Sequence, residues 1–181
     1  MNPSIRYGDQ EVLVHRRPWK AGPRIPYRKT YSLKPGQHWS EAGETPNQWE
    51  HYVLQDDGSQ IPVGALIARE FISDGAEFAF FTEMWHGVVF IGPDLICVDP
   101  PPRVKDFIVT MKTALGGLRG LPDVIGFFPD GRIRLHEAKN AGAKDKLQKG
   151  QHAFANTARS IYGDKVEFGV TEWGHLKENE A

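Results

Sequence analysis

An aspartate at 123, a glutamate at 137 and a lysine at 139 stand at spacings that let two carboxylates and an ammonium meet. Between them run an apolar segment from Val124 to Phe128, the turn Pro129-Asp130-Gly131, and a return from Arg132 to Leu135. Pro presets φ, Asp caps locally and Gly accepts φ > 0, so the pattern reads as a hairpin. With 129–131 as the loop, residue 128 faces 132 and Asp123 faces Glu137. A two-residue loop shifts the pairing by one and still leaves the carboxylates adjacent. Directly opposed residues have Cβ atoms roughly 4.5–5.5 Å apart, close enough to share a divalent cation and costly for two bare anions. Lys139, two residues beyond Glu137, points to the same face. Two acidic side chains, the Ala138 carbonyl and a lysine make a hard, oxygen-lined site suited to Mg²⁺ or Mn²⁺ rather than zinc. A metal there would polarise a phosphate oxygen and activate a water, with Lys139 orienting the nucleophile or stabilising the developing charge. That is the chemistry of phosphodiester hydrolysis. The plainer alternative is a surface hairpin with an ordinary exposed Glu137–Lys139 pair. Gly92-Pro93-Asp94-Leu95 also carries a Pro-Asp, but no Glu-x-Lys follows at hairpin distance, so it reads as a turn.

In Pro122-Asp123 followed by Glu137-x-Lys139, the chain resembles the PD-(D/E)xK nuclease superfamily. The wording GLRGLPDVIGFFPDGRIRLHEAK is most similar to its VRR-NUC branch, and the resemblance spans about residues 105–173. It implies an α/β fold, a restriction-endonuclease-like mixed sheet flanked by helices, and a Mg²⁺- or Mn²⁺-dependent endonuclease. In VRR-NUC proteins the helix after Glu-x-Lys carries a glutamine, and Gln151 takes that place by resemblance, with Gln148 as the fallback. Several enzymes of the superfamily add an acidic metal ligand from the helix before the hairpin. Glu70 is the candidate here and Glu77 its substitute, while an ordinary exposed helix glutamate is the competing account.

The elements that must position these groups are read from periodicity. Repeated prolines make residues 1–48 an extended basic arm, with at most a short strand over Glu11–His15; residues 49–181 form the nuclease-like domain. Leu66, Ile67, Phe71 and Ile72 with Gly75 behind them predict a helix from Val63. Glu77–Phe81, Val88–Ile96, Phe107–Met111 and Val166–Val170 read as strands, with a stiff connection at Val98–Pro102. Trp85 and His86 read as an aromatic turn. A helix over about Asp145–Tyr162 carries the stripe Leu147, Gln151, Phe154, Ala158 and Ile161, and a glutamine facing inward must find polar partners.

The chain of 181 residues fits one domain with a sizeable core, and its single cysteine, Cys97, excludes a disulfide framework and a multi-cysteine zinc site. With no signal-like or membrane-spanning run, a cytoplasmic protein with no membrane role is expected. The net charge of −1 hides a partition: residues 1–34 hold eight Lys or Arg against two acids, residues 35–100 one against eleven, and residues 101–181 thirteen against ten. Arg16, Arg17, Arg24, Arg28 and Lys29, interleaved with aromatics, suit a nucleic-acid backbone, or else an arm wrapping its own domain or a second subunit. Lys112, Arg119, Lys144, Lys146 and Lys149 are further phosphate candidates, and the glycines at 116, 117 and 120 suit close approach of a DNA backbone. The expected partner is DNA, bound as junction, flap or duplex, with a homodimer serving junction work. The rival class is an inactive nucleic-acid-binding or assembly module, and no residue separates DNA from RNA.

Overall fold

The computed structural model describes residues 3–84, 87–143 and 145–174. In chain order the elements are β1 (Ser4–Tyr7), β2 (Gln10–Arg16), β3 (Ile25–Arg28), β4 (Glu44–Glu50), β5 (Val53–Leu54), β6 (Gln60–Ile61), α1 (Val63–Ser73), β7 (Phe78–Met84), β8 (Val88–Ile91), β9 (Cys97–Val98), α2 (Pro102–Leu115), β10 (Val124–Phe127), β11 (Ile133–Asn140), α3 (Lys149–Tyr162) and β12 (Val166–Trp173). Eight strands form one mixed sheet in the order β1-β2-β12-β11-β10-β7-β8-β9, and β3-β4 and β5-β6 are separate two-stranded ribbons. β12 runs parallel to β11 and to β2, and every other pair in the sheet is antiparallel. A parallel pair needs a crossover, and α3 supplies it between β11 and β12.

Strand alternation sorts the sheet into two buried faces. Ala79, Phe81, Val124 and Phe128 pack against Ile67, Ala68 and Phe71 of α1. Phe80, Ile125, Phe127, Ile133 and Leu135 face Val104, Phe107 and Met111 of α2 and Phe154 and Ala158 of α3. α1 lies so close to β10 that a Cβ on Gly126 would come within 2.5 Å of the Phe71 ring. Both layers bury the faces that a strand must hide, and the helices cover a sheet that would otherwise expose them.

Four expectations are corrected. Phe107–Met111 is helical: Val104, Phe107 and Met111 are buried at helical spacing, Pro102 stands in the first turn, and Gly116 closes α2 in the left-handed conformation at φ 69°. The β-branched run within it suggested a strand, but the triple proline ends where a helix can begin. The basic arm is not an arm over its first third, because β1 and β2 pair with each other and β2 joins β12 of the main sheet. Val88–Ile96 breaks at Ile91; Gly92-Pro93-Asp94 turns the chain, with the Ile96 amide donating to Asp94 Oδ1 at 3.3 Å, before β9. α3 begins at Lys149, four residues later than Asp145. Trp85, His86 and Lys144 lie outside the described residues. Among those residues no helix is long and apolar enough to cross a membrane.

Candidate active site

The β10–β11 hairpin closes on the three-residue loop 129–131. Phe128 N donates to Arg132 O at 2.9 Å, Asp130 Oδ1 accepts from Arg132 N at 3.0 Å, and Gly131 takes φ 92°. The ladder pairs Val124 with His136 and Ile125 with Leu135, and one step further it sets Asp123 opposite Glu137. The Ala138 amide donates to Asp123 Oδ2 at 2.8 Å, which fixes the aspartate on the return strand. From the other side Thr82 of β7 clamps the same corner, its amide donating to Asp123 O at 2.9 Å and its hydroxyl to Pro122 O at 2.6 Å.

Glu137 is wholly buried, and its partners come from β1, from α3 and from its own strand. Tyr7 on β1, itself 0 % exposed, donates its hydroxyl to Oε1 at 3.0 Å. Gln151 on α3 donates Nε2 to Oε2, and Lys139 Nζ lies 3.4 Å from the same oxygen. The amide of Gln151 is locked in turn, because its Oε1 accepts from Gln148 N at 2.8 Å and from Lys139 Nζ at 3.4 Å. Lys139 also reaches Asp145 Oδ2 at 3.7 Å. A buried Glu–Lys pair holds only where the remaining lone pairs and protons find partners, and this one is furnished with them.

Burial raises the Glu137 carboxyl well above its ordinary range, and the charge of Asp123 raises it further against the opposing Lys139 ammonium. Burial likewise raises Asp123, with Lys139 and the Ala138 amide pulling the other way. The two carboxyls stand opposite each other on the hairpin, and the charge of Asp123 acts on Glu137. Two bare anions side by side are costly, so this placement favours a proton or a cation at the pair.

Asp123 and Lys139 open onto a cleft of about 530 Å³. It lies where the ends of β7, β11 and β12 meet the start of β10, walled by Arg24 and by Trp49 and Glu50 of β4. Two further carboxylates face it. Glu83 accepts from the Tyr27 hydroxyl at 2.8 Å, and Glu50 from the Tyr52 hydroxyl at 3.3 Å. Burial pushes Glu83 up to about 7 despite the Tyr27 hydrogen bond, with the charges of Glu50 and Asp123 adding to it, and burial raises Glu50 as well. Among the described residues no three His, Cys, Asp or Glu side chains converge tightly enough to complete a metal shell alone. The donors that are present are all oxygens, which fits a hard ion that retains water ligands, as Mg²⁺ does.

Of the residues singled out in the sequence, Asp123, Glu137, Ala138, Lys139 and Gln151 meet at one place. Glu70 does not join them. It pairs with Arg17 Nη2 at 2.9 Å beside Trp19, Leu66, Arg69 and Asp74, because only the first turn of α1 reaches the cleft and Glu70 lies two turns on. Glu77 faces Arg103 at 3.8 Å, and the exposed Gln148 donates its side chain to Lys146 O at 3.1 Å. The basic candidates divide. Arg24 lines the cleft, whereas Arg16 pairs with Glu172 at 3.1 Å and Arg28 lies over the Trp39 ring at 4.8 Å with hydrogen bonds to Ser40 O and Ala42 O. Lys29 opens a 3₁₀ turn and Lys112 is exposed on α2. Arg119 and Lys149 flank a shallow depression beside Gln151, and Lys146 lies on the Lys139 side of a second hollow. Gly120 serves the chain itself rather than a ligand: at φ 86°, a Cβ there would come within 2.2 Å of the Gly150 backbone. That close approach holds the start of α3 against the segment leading to Asp123.

Sequence reasoning missed Tyr7, Thr82, Glu83, Glu50 and Asp145. Nothing local in the sequence ties Tyr7 to a glutamate 130 positions away. The buried His136, pushed down to about 3 by burial and bonded to Thr171 Oγ1 at 2.7 Å, is a neutral core residue. No protein-family model matches the chain, and no curated protein does.

Proposed function

We propose that the protein is a Mg²⁺- or Mn²⁺-dependent phosphodiester hydrolase acting on nucleic acid, DNA first. The observation that carries this reading is the hairpin register that sets Asp123 opposite Glu137, with the Ala138 amide donating to Asp123 Oδ2 at 2.8 Å and Lys139 Nζ 3.4 Å from Glu137 Oε2. Asp123, Glu137 and the Ala138 carbonyl are the residues that would hold the cation, with water completing its shell. A bound ion of this kind supplies Lewis acidity to a phosphate oxygen and to its water. Lys139 sets its ammonium beside the phosphate, where charge grows as water attacks phosphorus and the bond to the departing oxygen breaks. Gln151 donates to one Glu137 oxygen and Tyr7 to the other, which holds the carboxylate in one rotamer, as a ligand to a cation would need. A restriction-endonuclease-like arrangement of the sheet and its helices belongs to the same proposal.

A second reading is a binding module without turnover, favoured by Glu137 already having both oxygens engaged within the protein. One cleavage panel separates the two: duplex, single-stranded, flap and four-way-junction DNA, with and without Mn²⁺, wild type beside Lys139→Ala. Hydrolysis that needs Mn²⁺, stops with EDTA and is lost in Lys139→Ala supports the enzyme. DNA binding with a steep salt dependence and no turnover supports the module.

A further inference from the structure

The cleft has a feature that hydrolysis alone does not use. Trp39 and Trp173 are buried at 5 % and 4 %, but Trp49, at the mouth above the carboxylates, is 57 % exposed. It stands on β4 opposite Pro26 of β3, so a proline-stiffened ribbon sets its position over the cleft. Arg24, just before β3, is exposed in the same wall and makes no ion pair or side-chain hydrogen bond among the described residues. The first turn of α1, at Val63 and Gly64, adds the positive end of its dipole across the opening.

We infer that the cleft takes an unpaired nucleotide, its base stacked on Trp49 and its phosphate against Arg24, so that the protein selects single-stranded nucleic acid over continuous duplex. This rests on the hydrolytic reading for the role of the carboxylate floor. In an intact duplex each base has both faces covered by its neighbours, which leaves no ring face for an indole; an unstacked base offers one. The volume of about 530 Å³ suits a group of nucleotide size. Trp49 and Arg24 stand at the mouth and the acidic side chains line its floor, so a strand entering there brings its backbone to Asp123 and Lys139.

The test measures binding without turnover. Fluorescein-labelled dT12 and a 12-base-pair duplex are titrated into the full chain in Ca²⁺, followed by anisotropy and by tryptophan quenching. The expected result is tighter binding of dT12, quenching of Trp49, and a loss of about 5- to 100-fold for dT12 in Trp49→Ala, with Trp49→Phe retaining most of the affinity. Arg24→Gln should weaken dT12 and lower its salt slope by about 0.7. Circular dichroism confirms that each variant is folded. Failure of dT12 to bind, duplex binding as tight as dT12, equal losses on duplex and single strand, or an unchanged dT12 affinity in folded Trp49→Ala overturns the inference. The hydrolytic reading fails separately: a protein that never cleaves in Mn²⁺ but loses dT12 in Trp49→Ala keeps the stacking site and loses the enzyme.

Discussion

Two glutamates, each within 3.4 Å of a cation, show how differently this molecule treats the same side chain. Glu70 meets Arg17 on the outside of α1, with both side chains more than a third exposed. Glu137 meets Lys139 beneath the sheet end, wholly buried, with Tyr7 donating to one of its oxygens and Gln151 to the other. A pair in water contributes little, because solvent screens it and side-chain entropy opposes it. The buried group is held in one geometry by residues from β1, β11 and α3, and such enforced geometry is what metal binding and catalysis require.

Breaking the buried side should produce the largest effect. Glu137→Gln should lower metal-dependent cleavage by at least about 10²-fold, measured as initial rates at saturating Mn²⁺, while the circular dichroism spectrum stays that of the wild type. Tyr7→Phe removes one hydrogen bond and no ring. It should raise the Mn²⁺ concentration for half-maximal cleavage by about tenfold and restore most of the rate at saturating metal, a split that general destabilisation would not produce.

The pH dependence sharpens the contrast. In the metal-free fold Glu83 titrates at about 7 against an ordinary 4.5, so the folded state holds this proton more tightly across that window. Its contribution to stability is therefore full below about 4.5 and declines as the pH rises through about 7. Thermal melts in EDTA should show that decline, and Glu83→Gln should flatten it. The smallest effect belongs to the exposed pair: Glu70→Gln should leave cleavage unchanged and alter stability by no more than about 1 kcal/mol in urea titrations.

The same contrast explains what was legible in the sequence. The hairpin could be read because Pro129-Asp130-Gly131 sets the register and strand period then sets Asp123, Glu137 and Lys139, all through local rules. Gln151 followed from helical spacing, since a polar residue on the apolar stripe must find partners, although Ile161 on that stripe is 43 % exposed and Ala155 is buried in its place. Glu70 failed because a helix presents a face set by tertiary docking, and composition does not say which turn reaches the cleft. α2 failed because its β-branched run was weighed above the spacing of Val104, Phe107 and Met111. Tyr7 and Glu83 were illegible for another reason. They reach the site by long-range strand order, with β1 four places from β10 in the sheet and β7 beside it, and no local pattern encodes that order.

On the proposed reading, Asp123 and Glu137 would together hold a divalent cation that relieves the repulsion of two adjacent carboxylates. Calorimetric titration of Mn²⁺ into the protein at pH 6.5, repeated in two buffers of different ionisation enthalpy, tests it most directly. Saturable binding that releases protons and is lost in Asp123→Asn is the expected result. Binding that is unchanged in folded Asp123→Asn, or no binding to the wild type, would contradict it.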